Sequence, residues 1–316
     1  SAERGMCTTF VGHKIATKLD TQENITPQTY LIRLNPAAKH KTRGNAAVAI
    51  HTDVSVEEAK EVTENLIDKY SYPSDPETNP GAVISEAPPE TETDVVSELA
   101  SFTERAIHEL LDIEDAINHI KNHDLTSIAR GNGRGRIGSL AALGAYAYFD
   151  EENLTFEAIT YRQKHNWKTD RQVDAESIAN IHDEYYPKIW DNFDPQTGEC
   201  VCVPNTPCPV LYGIRGDDRY AVRSAAEKIQ AEPKYGIQLY KSNQGTDAHI
   251  QDGQIGSLEE NKSYRVTGTV TTEPNTVEGG HVFFKLGSKS DDESNEKSSV
   301  EIAAFEPTKR FRDDVR

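Results

Sequence analysis

The sequence predicts a multidomain α+β protein, and three observations carry that expectation. Helical and strand-length apolar segments alternate over residues 1–128, β-α-β signals follow one another over 129–258, and from 259 to 316 short strands are separated by turn-rich segments. The first pattern is that of a layered α/β domain, and the second suits a ferredoxin-like sandwich. The third gives three strands, the opening half of a small barrel such as an OB-fold, which needs five. A chain of 316 residues is long enough for two or three cores of this size.

Each element has a local reason. The periodic apolar stretch from Thr8 to Leu19 predicts a helix, and "TYLIRLNP" (29–36) and "NAAVAIHT" (45–52) predict strands. "SVEEAKEVTENLIDKY" (55–70) is amphipathic, with Ser55 as its cap and Glu58 at the capping-box position. Residues 73–91 read as a Pro-rich loop, followed by helices in "VVSELASFTERAIHELL" (95–111) and "IEDAINHIKNH" (113–123). In the second region "IGSLAALGAYAY" (137–148) predicts a buried helix. "FEAITYR" (156–162), "CVCVP" (200–204), "VLYGIRG" (210–216) and "YGIQLYKSN" (235–243) predict strands, and "DDRYAVRSAAEKIQ" (217–230) predicts a helix with acid at its positive end. Beyond Asn261 the expected strands are "KSYRVTGTVTTEP", "HVFFKL" and "SSVEIAAFEP".

Composition narrows the setting. Asp and Glu number 52 against 34 Lys and Arg, a formal charge of −18 spread along the chain, as in "SDDESNEKSS" (290–299), which suits a salt-adapted cytoplasm. In roughly molar salt the Debye length is about 3 Å, so a local basic patch can still bind RNA. Neither an apolar run of 18 residues nor a signal-peptide pattern is present, and a cytoplasmic protein is expected. Three of the four cysteines lie in "CVCVPNTPC", where a fourth ligand at metal-site spacing is missing. They read as reduced thiols, with no metal expected.

Several segments could carry chemistry. "ARGNGRGRIG" (129–138) packs four glycines and three arginines ahead of an apolar helix. Its amides could form a nest for phosphate, with Arg130, Arg134 and Arg136 adding charge, or the segment could be a flexible linker. No Gly-Lys-Ser/Thr follows, so it is not a Walker loop, and no strand leads directly into it as in a dinucleotide fingerprint. A similar basic stretch, "KHKTRGN" (39–45), offers Lys41 and Arg43 to a triphosphate and Asn45 to a base or ribose. Thr8 and Thr9 fall at a helix start, where hydroxyls are ordinary caps or, beside a base or metal, phosphate acceptors. "VPNTPCPVLYGIRG" (203–216) is a Pro-stiffened loop suited to a ligand or a turn, and "WDNFD" (190–194) supplies Asp191 and Asp194, carboxylates able to face a guanidinium bidentately.

Together "RGMCTT", "LIRLNP", "KTRGN", "TNPGAV", "GRGRIGSLAA", the thirteen-residue "PNTPCPVLYGIRG", "TDAH", "EGGHVFFKL" and "AAFEPTKRFR" resemble, in order and over the whole chain, the archaeal 2-agmatinylcytidine synthetase of the minor isoleucine tRNA. The resemblance implies an ATP-dependent, Mg²⁺-using ligase that joins agmatine to C2 of the wobble cytidine of a CAU anticodon, so that the tRNA reads AUA. It implies a kinase-like domain over 1–128, a ferredoxin-like domain over 129–258 and a partial OB-fold over 259–316, in a monomer without a membrane association. Thr8 matches the family's autophosphorylated threonine. For such substrates the residues expected from their own chemistry to hold ATP and phosphate are Lys41, Arg43, Asn45, Arg134, Gly135, Arg136 and Gly138. Those expected to hold agmatine are Asp191, Asp194, Asn205, Thr206 and Pro207. The family opens with a strand and an Asp-Asp-Thr-Asp-Ser segment that binds metal and ends in a zinc ribbon, so the chain is expected to be truncated at both ends. Two other readings stay open, an inactive remnant of that enzyme and a single-stranded nucleic-acid binder using the barrel.

Overall fold

The computed structural model describes residues 7–20, 28–72, 74–87, 91–288 and 298–305, without the side chains of Arg43 and Glu151. Most of "SDDESNEKSS", the end of "AAFEPTKRFR" and the start of "RGMCTT" lie outside the described residues. The protein is an α+β protein with a mixed sheet. It divides into two compact units, residues 1–248 and 249–316.

The first unit opens with helix α1 (Thr8–Leu19), strands β1 (Gln28–Arg33) and β2 (Ala46–His51), and α2 (Val56–Tyr70). Ser55 accepts the Glu58 amide at 3.2 Å and so caps α2, as the capping-box residues predict. The expected loop at 73–91 contains a strand, β3 (Gly81–Ile84), which pairs antiparallel with β4 (Thr126–Ala129). That strand has only four residues beside Pro80, too short to announce itself by alternation. Between them lie α3 (Asp94–His108) and α4 (Ile113–Asn122), and after them α5 (Gly135–Leu143), α6 (Ala145–Tyr148) and β5 (Thr155–Arg162).

The second half of this unit holds α7 (Ala175–Tyr185), β6 (Ile189–Trp190), β7 (Val210–Gly216), α8 (Arg219–Lys228) and β8 (Lys234–Ser242). Asp218 caps α8 by accepting the Ala221 amide. The expected strand "CVCVP" is instead a chain of turns. The Val203 amide turns back to the Cys200 carbonyl, and Pro204, Pro207 and Pro209 remove the donors that a ladder requires. Helix α7 went unpredicted because its buried face is short, with only Ile178 and Ile181 as buried apolar residues beside Ser177.

Among the described residues the main sheet runs β2-β1-β8-β5-β7-β6, with β1 parallel to β8 and the other neighbours antiparallel. Strands β1 and β5 are buried on both faces. Tyr30 and Ile32 of β1 enter a core with Leu99, Phe102 and Leu140, while Leu31 joins Phe10, Ile159, Tyr161 and Tyr240 on the opposite side. A third core gathers Ala158, Ile178, Leu211, Ile214 and Val222 under α7 and α8. The first of these cores runs across position 128/129, because α5 packs on α3 and Thr103 donates to the Ala141 carbonyl at 2.7 Å.

The second unit contains β9 (Ile250–Asp252), β10 (Ser263–Arg265), β11 (Thr269–Val270), β12 (Asn275–Thr276), β13 (Val282–Gly287) and β14 (Ser299–Ala304). Strands β11, β12 and β14 pair antiparallel with β13, and β9 pairs with β10. The expected strand at 262–274 is split into β10 and β11, separated by Val266, Thr267 and Gly268.

Candidate active site

A cleft of about 2190 Å³ opens in the first unit, and several distant segments wall it. The start of α1 brings Thr8, the loop ahead of β2 brings Lys41 and Asn45, α5 brings Arg134, Gly135 and Gly138, and the proline loop brings Asn205, Thr206 and Pro207. These nine residues were separate in sequence, and folding assembles them around one space. Arg136, Asp191 and Asp194 stand outside its lining. The Arg43 side chain lies outside the described residues.

Thr8 is exposed at the first turn of α1. The helix start is held from beneath: Tyr161 of β5 and Tyr240 of β8, both fully buried, donate to the Thr9 carbonyl at 2.8 and 3.1 Å. Beside it, burial pushes the Cys7 thiol up to about 11, so this group is a neutral thiol at pH 7.

Contrary to the sequence reading, a strand does lead directly into the glycine-arginine loop, the four-residue β4, too short to show by alternation, but the loop does not form an amide nest. The Arg130 amide bonds the Pro80 carbonyl, that of Asn132 the Asn79 side chain, that of Arg134 the Asn132 side chain, and that of Gly135 the Asn79 carbonyl. Gly131 (φ 60°) and Gly133 (φ 74°) supply the left-handed backbone for this tight wrap. At Gly135 a Cβ would fall 2.3 Å from the Gly81 nitrogen, so the glycine permits close approach of two chain segments. Arg130 turns outward onto α2, bonded to Asp68 at 2.7 and 2.8 Å and to Glu64 at 2.9 Å, and the hydrogen bond with Arg130 holds the Asp68 carboxyl below its ordinary range. Arg136 bonds the Gly133 carbonyl. Of the three arginines, only Arg134 reaches the cleft.

Lys41 bonds the Pro36 carbonyl, and Asn45 uses its side-chain amide on the Asn35 carbonyl at 2.8 Å, so both also fix the loop that carries them. The proline loop is organised by Arg171, whose guanidinium reaches the carbonyls of Pro204, Thr206 and Val210 at 2.7–2.9 Å. Asp194 is committed to its own turn, accepting from Thr197 Oγ1 at 2.8 Å and from the Gln196 amide at 2.8 Å. Those bonds, the Gln196 amide foremost, hold its carboxyl low.

One set of cleft residues escaped sequence reasoning. Glu157 of β5 lies buried at the cleft wall, bonded by Arg33 at 2.8 and 2.9 Å and by Ser242 at 3.0 Å, with Arg215 Nε at 3.7 Å. Burial pushes this carboxyl up, but the two guanidiniums and the hydroxyl overcome it and hold it below its ordinary value. The Nε atoms of Arg33 and Arg215 are buried with no hydrogen-bond partner among the described residues. The signal was present, since a Glu inside the apolar run "FEAITYR" needs a cationic partner.

The carboxylates lining the cleft, among them Asp53, Asp112, Glu157 and Glu199, do not gather into an oxygen cage. A magnesium ion at such a cleft would take one or two carboxylates together with the phosphates of a nucleotide.

Fold and cleft define a class, an α+β enzyme with a mixed sheet and a large cleft whose lysine, arginine and hydroxyl groups suit phosphate-bearing ligands. The family model described as the TiaS TCKD domain matches residues 1–56, and that described as the TiaS FLD domain matches residues 133–249. Among curated proteins, the 2-agmatinylcytidine synthetase TiaS of Haloquadratum walsbyi is 41% identical over 349 aligned residues, covering 100% of this chain and 74% of that protein. The same synthetase of Archaeoglobus fulgidus is 38% identical, covering 100% and 72%. A crystal structure of TiaS with its isoleucine tRNA and ATP superposes with a TM-score of 0.87 at 38% identity, over 100% of this chain and 72% of that one. A complex of TiaS with the tRNA, AMPCPP and agmatine gives 0.84 at 37% identity, over 99% and 73%. The chain belongs to the TiaS family, the 2-agmatinylcytidine synthetases of the minor isoleucine tRNA.

Proposed function

We infer that this protein is an ATP-dependent ligase that conjugates agmatine to C2 of the wobble cytidine in the CAU anticodon of the minor isoleucine tRNA. The observation that carries this is family membership over the full chain, with the motif residues Thr8, Lys41, Arg134 and Thr206 gathered in one cleft. The chemistry follows from the cytidine. Its C2 oxygen is a poor leaving group, so phosphoryl transfer from ATP to that oxygen must precede attack by the primary amine, which then displaces phosphate. We propose that Thr8 accepts a phosphoryl group within this sequence, and that Lys41, Arg43 and Arg134 balance the charge of the triphosphate. Asn45, Gly135, Arg136 and Gly138 then serve as the frame around it, Arg136 through the Gly133 carbonyl rather than through the nucleotide.

Agmatine presents a guanidinium at one end and an attacking amine at the other. A carboxylate is the acceptor that matches a guanidinium in both charge and geometry. Asp194 is held in its own turn, and Asp191 stands outside the lining. Glu199, on the same 190–209 segment, does line the cleft together with Asn205, Thr206 and Pro207. We place the guanidinium at Glu199, with the proline loop along the alkyl chain. Mg²⁺ accompanies ATP in this proposal, and no step is assigned to it.

The domain reading is a kinase-like region over 1–128, a ferredoxin-like region over 129–258, supported by β5, β7 and β8 with α7 and α8, and a partial OB-fold over 259–316. We propose a monomer acting in the cytoplasm. Among the described residues, no helix is long and apolar enough to cross a membrane. The test is incorporation of radiolabelled agmatine into a transcript of the minor isoleucine tRNA by the full-length protein with ATP. Incorporation is expected with the CAU transcript and not when the wobble cytidine is replaced by uridine. Equal labelling of both transcripts, or labelling without ATP, would overturn the assignment.

A further inference from the structure

We propose that Glu98, His119 and His123 bind one zinc-class divalent ion at a site formed by α3 and α4. None of the three lines the cleft, so the proposal stands apart from the ligase reaction. His119 and the cap residue His123 are four positions apart, which places both rings on one face of α4. Glu98 reaches them from α3. One donor atom from each of Glu98, His119 and His123 can be chosen so that all three lie within 4.8 Å of one another.

The distances are close to those an ion requires. Glu98 Oε2 is 2.7 Å from His123 Nε2 and 3.7 Å from His119 Nδ1. Tetrahedral ligands about 2.0–2.1 Å from zinc stand about 3.3 Å apart, between these two values. Small side-chain rotations would therefore close the site. The His119 ring is already oriented, packed edge-on against Phe102 with centroids 5.1 Å apart.

A plain ion pair between Glu98 and His123 leaves one fact without a reason. His119 Nδ1 is buried and has no hydrogen-bond partner among the described residues. An orphaned polar atom is unfavourable unless something occupies its lone pair or proton, and a bound ion would do so. Two imidazoles and a carboxylate suit Zn²⁺, Co²⁺ or Ni²⁺ and discriminate against Mg²⁺. Glu98 is 53% exposed, which leaves an entry path and a fourth position for water. The ion would clip α3 to α4 at their outer surface, in the manner of a structural staple.

The test is titration of the whole chain, kept reduced, with Co²⁺ as a spectroscopic probe and Zn²⁺ as competitor. We expect one Co²⁺ per chain with a visible spectrum free of thiolate charge transfer, displaced by Zn²⁺, and a Zn²⁺-dependent rise in Tm. Glu98→Gln, His119→Gln and His123→Gln should each weaken binding by more than about tenfold, the lower end of what losing even an outer partner does. Glu98→Gln alters an exposed side chain and should melt like the parent without metal, so it decides the matter if a histidine variant misfolds. Unchanged binding in Glu98→Gln, a thiolate band marking the cysteines as ligands, or no binding of Zn²⁺ at micromolar concentration would overturn the proposal.

Discussion

At the residue scale, Thr8 and Glu157 behave oppositely because one is exposed and the other is not. Thr8→Ala removes a hydroxyl from a solvent-facing helix start. It should leave stability within about 0.5 kcal/mol, as surface substitutions do, while agmatine incorporation by the full-length enzyme falls by about 100-fold or more. Thr8→Ser should retain measurable turnover, and an active Thr8→Ala enzyme would remove the residue from the reaction. Glu157→Gln leaves two guanidiniums facing a neutral amide. Breaking such a buried pair should cost about 3 kcal/mol, the low end for this class because Arg33 is 21% exposed.

The same carboxyl sets a pH dependence. Glu157 titrates lower in the folded protein than its ordinary value of 4.5. Its contribution is therefore complete above that value and fades as pH falls toward the folded pKa. Urea unfolding between pH 6 and pH 3 should show the parent losing stability over the acid end of this range. Glu157→Gln should show a shallower slope there, and equal slopes would assign the acid sensitivity to other carboxylates.

At the element scale, the loop at 129–138 is a structural wrap as much as a ligand contact. Its amides are consumed by Asn79, Pro80 and Asn132, and its glycines allow that approach. Gly135→Ala would drive a Cβ against the Gly81 nitrogen and should destabilise by about 1–3 kcal/mol, the range for overpacking. Gly213 makes a matched control, since a Cβ there meets nothing within 4 Å. Gly213→Ala should be neutral or slightly stabilising, by up to about 1 kcal/mol. Paired thermal melts check both, and equal Tm values for the two variants would contradict the close approach at Gly135. Arg134→Ala, in contrast, should leave Tm near that of the parent and weaken ATP or tRNA binding.

At the scale of the whole molecule, a formal charge of −18 makes the fold sensitive to ionic strength. Repulsion acts over about 30 Å at 0.01 M salt and about 3 Å at 1 M. Tm should therefore rise steadily as KCl is raised from 0.05 to 2 M, by several degrees, before any specific ion effect is considered. A flat or falling dependence would mean that ion pairs such as Arg130 with Asp68 outweigh the general repulsion.

The sequence by itself determined the elements whose causes are local. Ser55 and Glu58 marked the start of α2, the short apolar run in "NAAVAIHT" marked β2, and the unbroken motifs from "LIRLNP" to "PNTPCPVLYGIRG" marked the family. It also placed Thr8, Lys41, Arg134 and Thr206 on the list of residues that line the cleft. What only the tertiary structure decided were the pairings made at long range. Glu157 meets Arg33 across 124 positions, Tyr240 reaches the Thr9 carbonyl across 231, and Arg130 turns to α2 while Arg134 turns to the cleft. Local periodicity records which face of an element is apolar, but a carboxylate or guanidinium is satisfied by whichever partner the fold brings within about 3 Å, and that distance has no trace in a single chain's spacing.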